Sequence, residues 1–493
     1  MADQKPQLVR GLTLRDTTAL VVGTIIGTGV FLKTAKMAQA VGSPELVLLA
    51  WVAAGILSLA GALTYAELGA MMPEAGGEYV YLKKAYGSLP AFLFGWMRIV
   101  IGSTGSIASF GVTFAIFVSF FLPKEWTAPW SEPKTFNISF SLFGKEFSEK
   151  IVWQFGPQQV IAIALILTFS ALNCLRVVFG GRIQSVLTLG KVVGIAAIVV
   201  GVFFFADGAS WDHLKTPASA KTFSSFGMFT SAFGAAMMAA LWAYDGWNNM
   251  PMVAGEVKNP GRNVPLALMI GMAIVLVIYG LTNLAYFYAL PFEEILTANT
   301  SFNGTPVVTK AAMTFLHTHG AQFVSIAVLL SVIGVINGSI LTSARVPYAM
   351  ARDGLFFSKF AQLNKKQAVP VAAIIMQGIW ASVLAFSATF DQLTDGVVFA
   401  SMIFYASCCV AVIVLRKKMP DATRPYRTLG YPIVPIMFVI IAVWLLVDSV
   451  IHNTVFSLAA LGLILLGLPI YFWQRRTHVP TERQSDAENS IAK

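Results

Sequence analysis

Charge is scarce in this chain. Only 12% of its 493 residues are Asp, Glu, Lys or Arg, where a soluble domain carries about 25%. That shortage excludes an ordinary water-facing surface over most of the length. Cysteine is nearly absent as well. Cys174, Cys408 and Cys409 are the complete set, all in or at the ends of apolar segments, so no extracellular disulfide framework is expected. The five histidines, His213, His317, His319, His452 and His478, fall in predicted loops or tails. No apolar segment sets His beside Asp, Glu or Cys at metal or catalytic-triad spacing. An enzyme reading therefore has no site, and neither a metal nor a cofactor is expected. The apolar runs lack the alternation of a transmembrane β-barrel. Met1–Asp16 lacks a short apolar core with a cleavage site, so the first apolar segment is expected to act as an uncleaved insertion signal.

What is present is hydrophobicity in long runs: 56% of residues are apolar and the mean hydropathy is +0.71. Crossing a ~30 Å hydrocarbon core takes ~20 helical residues. The runs predict an all-α membrane protein of twelve helices near 17–40, 46–71, 88–122, 156–175, 183–206, 227–257, 266–290, 321–352, 370–388, 392–416, 432–450 and 455–473. Lys and Arg gather in the tails and in the loops on their side, which predicts both termini in the cytoplasm of a multi-pass plasma-membrane protein. Arg416-Lys417-Lys418 with Arg424 and Arg427, and Arg475-Arg476, read as contacts to anionic lipid headgroups rather than to nucleic acid. Pro123–Phe155 reads as a small outer cap over helices three and four, and Pro291–Gly320 as an amphipathic surface hairpin. Asn137, Asn299 and Asn303 open glycosylation-type triplets in these loops, and the tail after Arg476 reads as disordered.

Two apolar segments contain interruptions. Gly23-Thr24-Ile25-Ile26-Gly27-Thr28-Gly29 places three glycines in the first, and Tyr244-Asp245-Gly246-Trp247 interrupts the sixth. Glycine weakens a helix, and in hydrocarbon the freed main-chain groups need protein, water or ligand as partners. Paired broken helices in corresponding positions of two halves point to a transporter's substrate site. Five helices per half invert the second half, giving repeats over 17–206 and 227–416, with 432–473 appended and 1–16 and 474–493 as cytoplasmic ends. A helix break offers N–H groups to an anion and C=O groups to a cation. A zwitterionic amino acid presents both charges. The amides of Gly27, Thr28 and Gly29 with the Thr28 hydroxyl suit its carboxylate; the carbonyls of Ile25, Trp242, Ala243 and Asp245 suit its ammonium. The alternative is a small-residue motif for close helix packing.

Several motifs carry a family resemblance. Gly-Thr-Ile-Ile-Gly-Thr-Gly-Val-Phe at 23–31, Tyr-Ala-Glu-Leu-Gly at 65–69 and Pro-Glu-Ala-Gly-Gly-Glu-Tyr-Val-Tyr-Leu at 73–82 resemble the L-type amino acid transporters. So do Gly-Arg-Ile-Gln-Ser-Val-Leu-Thr-Leu-Gly-Lys at 181–191, Ala-Tyr-Asp-Gly-Trp-Asn at 243–248 and Asn-Pro-Gly-Arg-Asn-Val-Pro-Leu-Ala at 259–267. The resemblance implies the amino acid–polyamine–organocation superfamily, the LeuT-type 5+5 inverted repeat with helices one and six broken, and sodium-independent amino acid exchange. Bacterial serine/threonine and alanine/serine/cysteine exchangers are the suggested relatives. Animal members carry an outside-loop cysteine that tethers a heavy chain; this chain lacks it, so no disulfide-linked heavy chain is expected. Many members have glycine where Asp245 stands.

Lys191 lies inside helix five, where a charge costs about 2.5–3.5 kcal/mol on insertion scales unless paired or snorkelling. The resemblance places it where sodium-coupled relatives bind an ion, implying an ammonium that holds carbonyls near Gly23, with Ser339 as a partner on helix eight. The alternative is a packing lysine that reaches the headgroups. Asp245 either pairs with substrate ammonium, takes up a proton, or caps a half-helix starting near Trp247. Trp242 resembles the family's aromatic gate; Asn248 either bonds a substrate side chain or bridges helices. Depth suggests two inner-gate ion pairs, Glu67 with Arg98 and Glu256 with Arg345, and a structural bracket over 73–87. The reading is a sodium-independent exchanger of small neutral L-amino acids working by alternating access. Its rivals are a proton-coupled symporter, with Lys191 or Asp245 carrying the proton, and a membrane amino acid sensor; a channel lacks a charged ring or filter repeat.

Overall fold

The computed structural model describes residues 11–477 apart from 73–75, 143–144, 176–180, 216–220, 301–303 and 365–368. Asn303, His478 and most of the polar tail fall outside the described residues. Thr13 opens the first span through a capping box: its hydroxyl accepts the Asp16 N–H, and the Asp16 carboxylate accepts the Thr13 N–H. The helix runs over Leu14–Ile25, comes undone, and resumes at Gly29–Leu32 and Thr34–Val41. Gly42, at φ 72°, terminates it where a side chain would be strained.

The second to fifth spans are Pro44–Met71, Ser88–Phe121, Pro157–Leu175 and Gly181–Phe205. The third contains a π-helical turn at Arg98–Gly102, a local widening found often at functional sites. The sixth is helical over Phe226–Tyr244 and then differs from the expected α-helix: beyond Gly246, at φ 119°, the chain continues as 3₁₀ turns over Trp247–Glu256. Pro251 supplies no N–H to an α-ladder, which disfavours a regular α-helix there. The seventh, Pro260–Ala289, starts earlier than the hydropathy suggests because Pro260 is pre-set for a first helical position. The rest are Gly320–Ser343 with Arg345–Arg352, Val371–Ser387, Phe390–Lys418, Ile433–His452, and Thr454–Leu465 with Gly467–Thr477. Among the described residues eleven stretches are long and apolar enough to cross a membrane, and the ninth span adds a shorter apolar helix of 17 residues. The chain is a multi-pass membrane protein of the expected all-α class.

One element was not foreseen. Within the connection 123–155, Lys134–Leu142 and Lys145–Trp153 pair as an antiparallel β-hairpin. It lies toward spans nine and twelve rather than three and four: the Trp153 indole N–H donates to Phe386 O at 2.9 Å, and the second strand touches the start of span twelve. The connection after span seven forms two short helices, Phe292–Leu296 and Val307–Leu316. Leu49, Ile56, Ile270 and Ile440 are exposed on the outer surface, where hydrocarbon rather than water suits them.

Two close approaches bring the breaks together. A Cβ at Gly29 would lie 2.4 Å from the Ala243 Cα, and one at Gly246 would lie 2.6 Å from Thr24 O. The first and sixth spans therefore meet main chain to main chain. Only glycine permits that.

Candidate substrate site

Opening a helix leaves the carbonyls of its last turn without helical partners. Other spans supply them. The Lys191 ammonium, 1% exposed, donates to Gly23 O at 2.9 Å and Ile26 O at 3.0 Å. A cation thus sits at the negative end of the first half-helix, where the dipole favours it. The Tyr279 hydroxyl on span seven lies 3.1 Å from Ile25 O and 2.9 Å from Ala243 O, so one proton ties both breaks together. The second half of span one begins with Phe31 N–H bonding Thr28 O at 3.2 Å, which leaves the Thr28 and Gly29 amides without helical acceptors. The Thr28 hydroxyl is buried and, among the described residues, has no partner.

A cavity lies at the breaks. Its walls are Thr24, Ile25, Gly27, Thr28 and Gly29 from span one, and Trp242, Ala243, Asp245, Gly246 and Asn249 from span six. Arg98, Ser103, Ser106 and Phe110 from span three, and Val335, Ser339, Thr342 and Ser343 from span eight, complete it. Among the described residues, Ser103 Oγ and Arg98 Nε are also buried without partners. Orphaned polar atoms around a cavity are what a polar guest or water would satisfy. Among the described residues no cluster of His, Cys, Asp or Glu gathers to hold a metal.

On the face opposite the termini the cavity is closed. Trp242 packs against Phe110 and Phe390 with ring centroids 6.1 and 6.4 Å apart. Above them Lys33, 0% exposed, bonds Asp391 at 2.6 Å and Thr394 at 2.6 Å, and Lys36 pairs with Asp395. Toward the termini, the Glu67 carboxylate accepts two bonds from Arg416, at 2.9 and 2.7 Å, and two from Thr428. Asp353 accepts from the Tyr79 hydroxyl and from Lys83, each at 2.7 Å, joining the loop helix Glu78–Tyr86 to the end of span eight.

The expected site residues fall into three groups. Ile25, Gly27, Thr28, Gly29, Trp242, Ala243, Asp245 and Ser339 all line the cavity, and Lys191 with Gly23 forms the expected cation-to-carbonyl contact. Other pairings differ. Lys191 bonds span one alone among the described residues, with no bond to Ser339. Asp245 does not cap the segment after the break: Gly246 occupies that position, and the Asp245 carboxylate accepts the Tyr405 hydroxyl at 2.5 Å. Ile25 and Ala243, expected as ammonium acceptors, already face Tyr279. Asn248 is not part of the cavity lining and bonds Glu78 at 3.1 Å, the helix-bridging role. Glu67 pairs with Arg416 rather than Arg98, because Arg98 faces the cavity. Glu256 offers its main-chain carbonyl to the Gly11 and Leu12 amides, and no ion pair joins it to Arg345 among the described residues.

Sequence reasoning missed Tyr279, Glu78, Lys33 and Asp391. A tyrosine in a membrane helix carries no signal of its own. Glu78 lay within the 73–82 motif, but its depth was not legible from a loop position.

The family described as Amino acid permease matches residues 12–468. The serine/threonine exchanger SteT of Bacillus subtilis (strain 168) is 32% identical over 459 residues, covering 93% of this chain and 95% of its own. The human b(0,+)-type amino acid transporter 1 is 30% identical over 471 residues, covering 94% and 88%. The human large neutral amino acids transporter small subunit 2 is 30% identical over 479 residues, covering 95% and 82%. With two undone spans meeting at a cavity and this similarity along nearly its whole length, the chain belongs to the amino acid permease family of the amino acid–polyamine–organocation superfamily, a family of transporters and not of enzymes.

Proposed function

We propose that this protein exchanges small neutral L-amino acids across the plasma membrane by alternating access, without sodium, and with both termini in the cytoplasm. The observation that carries the reading is the Lys191 ammonium on the Gly23 and Ile26 carbonyls. A broken helix end that already holds a fixed cation has no need of a soluble one. The substrate carboxylate would meet the Thr28 and Gly29 amides and the Thr28 hydroxyl. The ammonium would lie toward Trp242, Ala243 and Asp245, the residues of span six that line the cavity. Trp242 and Phe110 limit the room above, which suits small side chains. The two spans alternate access by rocking against the scaffold of the other helices, as inverted repeats allow. With Cys174 on span four and Cys408 and Cys409 buried on span ten, the protein works without a disulfide-tethered heavy chain.

Purified protein in liposomes tests this. Labelled alanine should enter only when unlabelled amino acid is inside, with no response to sodium. Uptake into empty vesicles driven by a proton gradient would replace exchange with symport. Binding with no flux would make the protein a sensor.

A further inference from the structure

The loop helix Glu78–Tyr86 inserts its first residue into the protein. Glu78 is 0% exposed, and its Oε1 accepts the Asn248 amide N–H at 3.1 Å. Asn248 itself is 1% exposed and belongs to the undone part of span six. Each partner has one atom left over: among the described residues, Glu78 Oε2 and Asn248 Oδ1 are both buried with no hydrogen-bond partner. Both are acceptors when the carboxyl is ionised. Add one proton to Oε2 and the pair gains the donor that Asn248 Oδ1 lacks, as in a neutral acid–amide dimer with two parallel bonds.

We infer that Glu78 and Asn248 form a proton-binding pair that locks the loop helix onto the undone segment of span six, so that opening toward the termini is linked to proton release. The side groups facing Glu78 fit this role. Arg98 comes from the π-turn of span three, Asp245 from the break in span six, Tyr65 from span two, and Tyr405 with Cys408 from span ten; Tyr81 lies on its own helix. Arg98 makes no ion pair with Glu78 among the described residues, so the carboxylate is not neutralised by contact. Burial pushes the Glu78 carboxyl up to about 7; Arg98 and the Asn248 bond pull it down, and Asp245 pushes it up. A carboxyl raised by burial supports the locked arrangement fully below its ordinary value of 4.5 and loses that support as pH climbs through about 7. The lock is reinforced on the same helix, where Tyr79 and Lys83 hold Asp353 at the end of span eight. The proton enters and leaves on the terminal side, since the opposite face is closed above Trp242. It therefore sets the ease of opening without being carried across.

Part of the test rests on the transport reading and part does not. Infrared titration of the purified protein without substrate should show a buried carboxyl C=O band that disappears as pH rises through about 7, and E78Q should remove it. In liposomes at equal pH on both sides, the locked fraction should fall by up to about tenfold per pH unit above the midpoint, read as a pH-dependent exchange rate. E78Q, an amide–amide pair with no titrating proton, should flatten that profile. N248D sets a second carboxyl beside the first and should move the midpoint to higher pH, because like charges resist joint ionisation. A purely structural pair would lower folded yield without moving a midpoint. An infrared band unaffected by E78Q, or an N248D midpoint equal to wild type, overturns the inference; where E78Q does not fold, N248D decides. A titrating band in a protein that exchanges nothing would keep the proton site and defeat the exchange reading.

Discussion

Replacing Lys191 by alanine tests the core of the site. In the wild type the ammonium makes two charge-assisted hydrogen bonds, at 2.9 Å to Gly23 O and 3.0 Å to Ile26 O. Bonds of this kind contribute about 1.5–3 kcal/mol each, and each buried carbonyl left open costs about 1–3 kcal/mol. Water entering the vacated space recovers part of this. A net penalty of about 2–4 kcal/mol against the docked first span follows, equal to roughly 30- to 1,000-fold in a two-state equilibrium. The penalty falls on the arrangement in which span one rests against span five, so the conformational equilibrium should shift more than global stability. The assay pairs alanine exchange in liposomes with the melting temperature and monodispersity of the same preparation. Exchange should drop at least tenfold in well-folded Lys191→Ala protein. Folded variant protein that exchanges at the wild-type rate would refute the argument. Equal loss of folded protein and of transport would reduce Lys191 to a packing residue, and stimulation of the wild type by sodium would remove its cation-replacing role.

Gly29→Ala should abolish exchange and lower stability by about 1–3 kcal/mol, because the added Cβ would sit 2.4 Å from the Ala243 Cα, main chain that cannot swing aside; normal flux in this variant would show that the two breaks separate freely. Tyr279→Phe strips the hydroxyl shared by Ile25 O and Ala243 O, so turnover measured at saturating substrate should fall by roughly 5- to 150-fold for a loss of about 1–3 kcal/mol. Asp391→Asn leaves the buried Lys33 ammonium with Thr394 at 2.6 Å and the more distant Asp395 at 3.5 Å. Closure on that face should weaken, and thiol-reagent access to a cysteine placed at Phe110 should rise; unchanged access would mean the ion cluster does not hold the closed state.

Particular residues show where sequence reasoning reaches. Lys191 was visible because an uncompensated charge inside an apolar run needs a partner, and the family resemblance implied the carbonyls near Gly23. The breaks at Gly27–Gly29 and Gly246 were visible because glycines clustered in hydrocarbon-length runs are costly without a reason. Glu67 and Arg98 were visible as charges but were paired wrongly. Depth along a helix gives height in the membrane and not azimuth, so Arg416, nearly 350 positions later in the chain, could not be preferred over Arg98. Asn248 and Glu78 are 170 residues apart, and a loop position gives no hint that a carboxyl is buried.

Composition and periodicity alone made this a membrane protein of about twelve helices, because the length of an apolar run is a local property matched to the thickness of a bilayer. Glycine placement located the two breaks for an equally local reason: it acts through the backbone of its own residue. Tertiary structure decided that Tyr279 takes up the Ile25 and Ala243 carbonyls, and that Lys191, among the described residues, bonds span one without Ser339. It also decided which charges face one another, Lys33 with Asp391 and Glu67 with Arg416. Those partnerships depend on the rotation and crossing of helices far apart in the chain, and packing sets both.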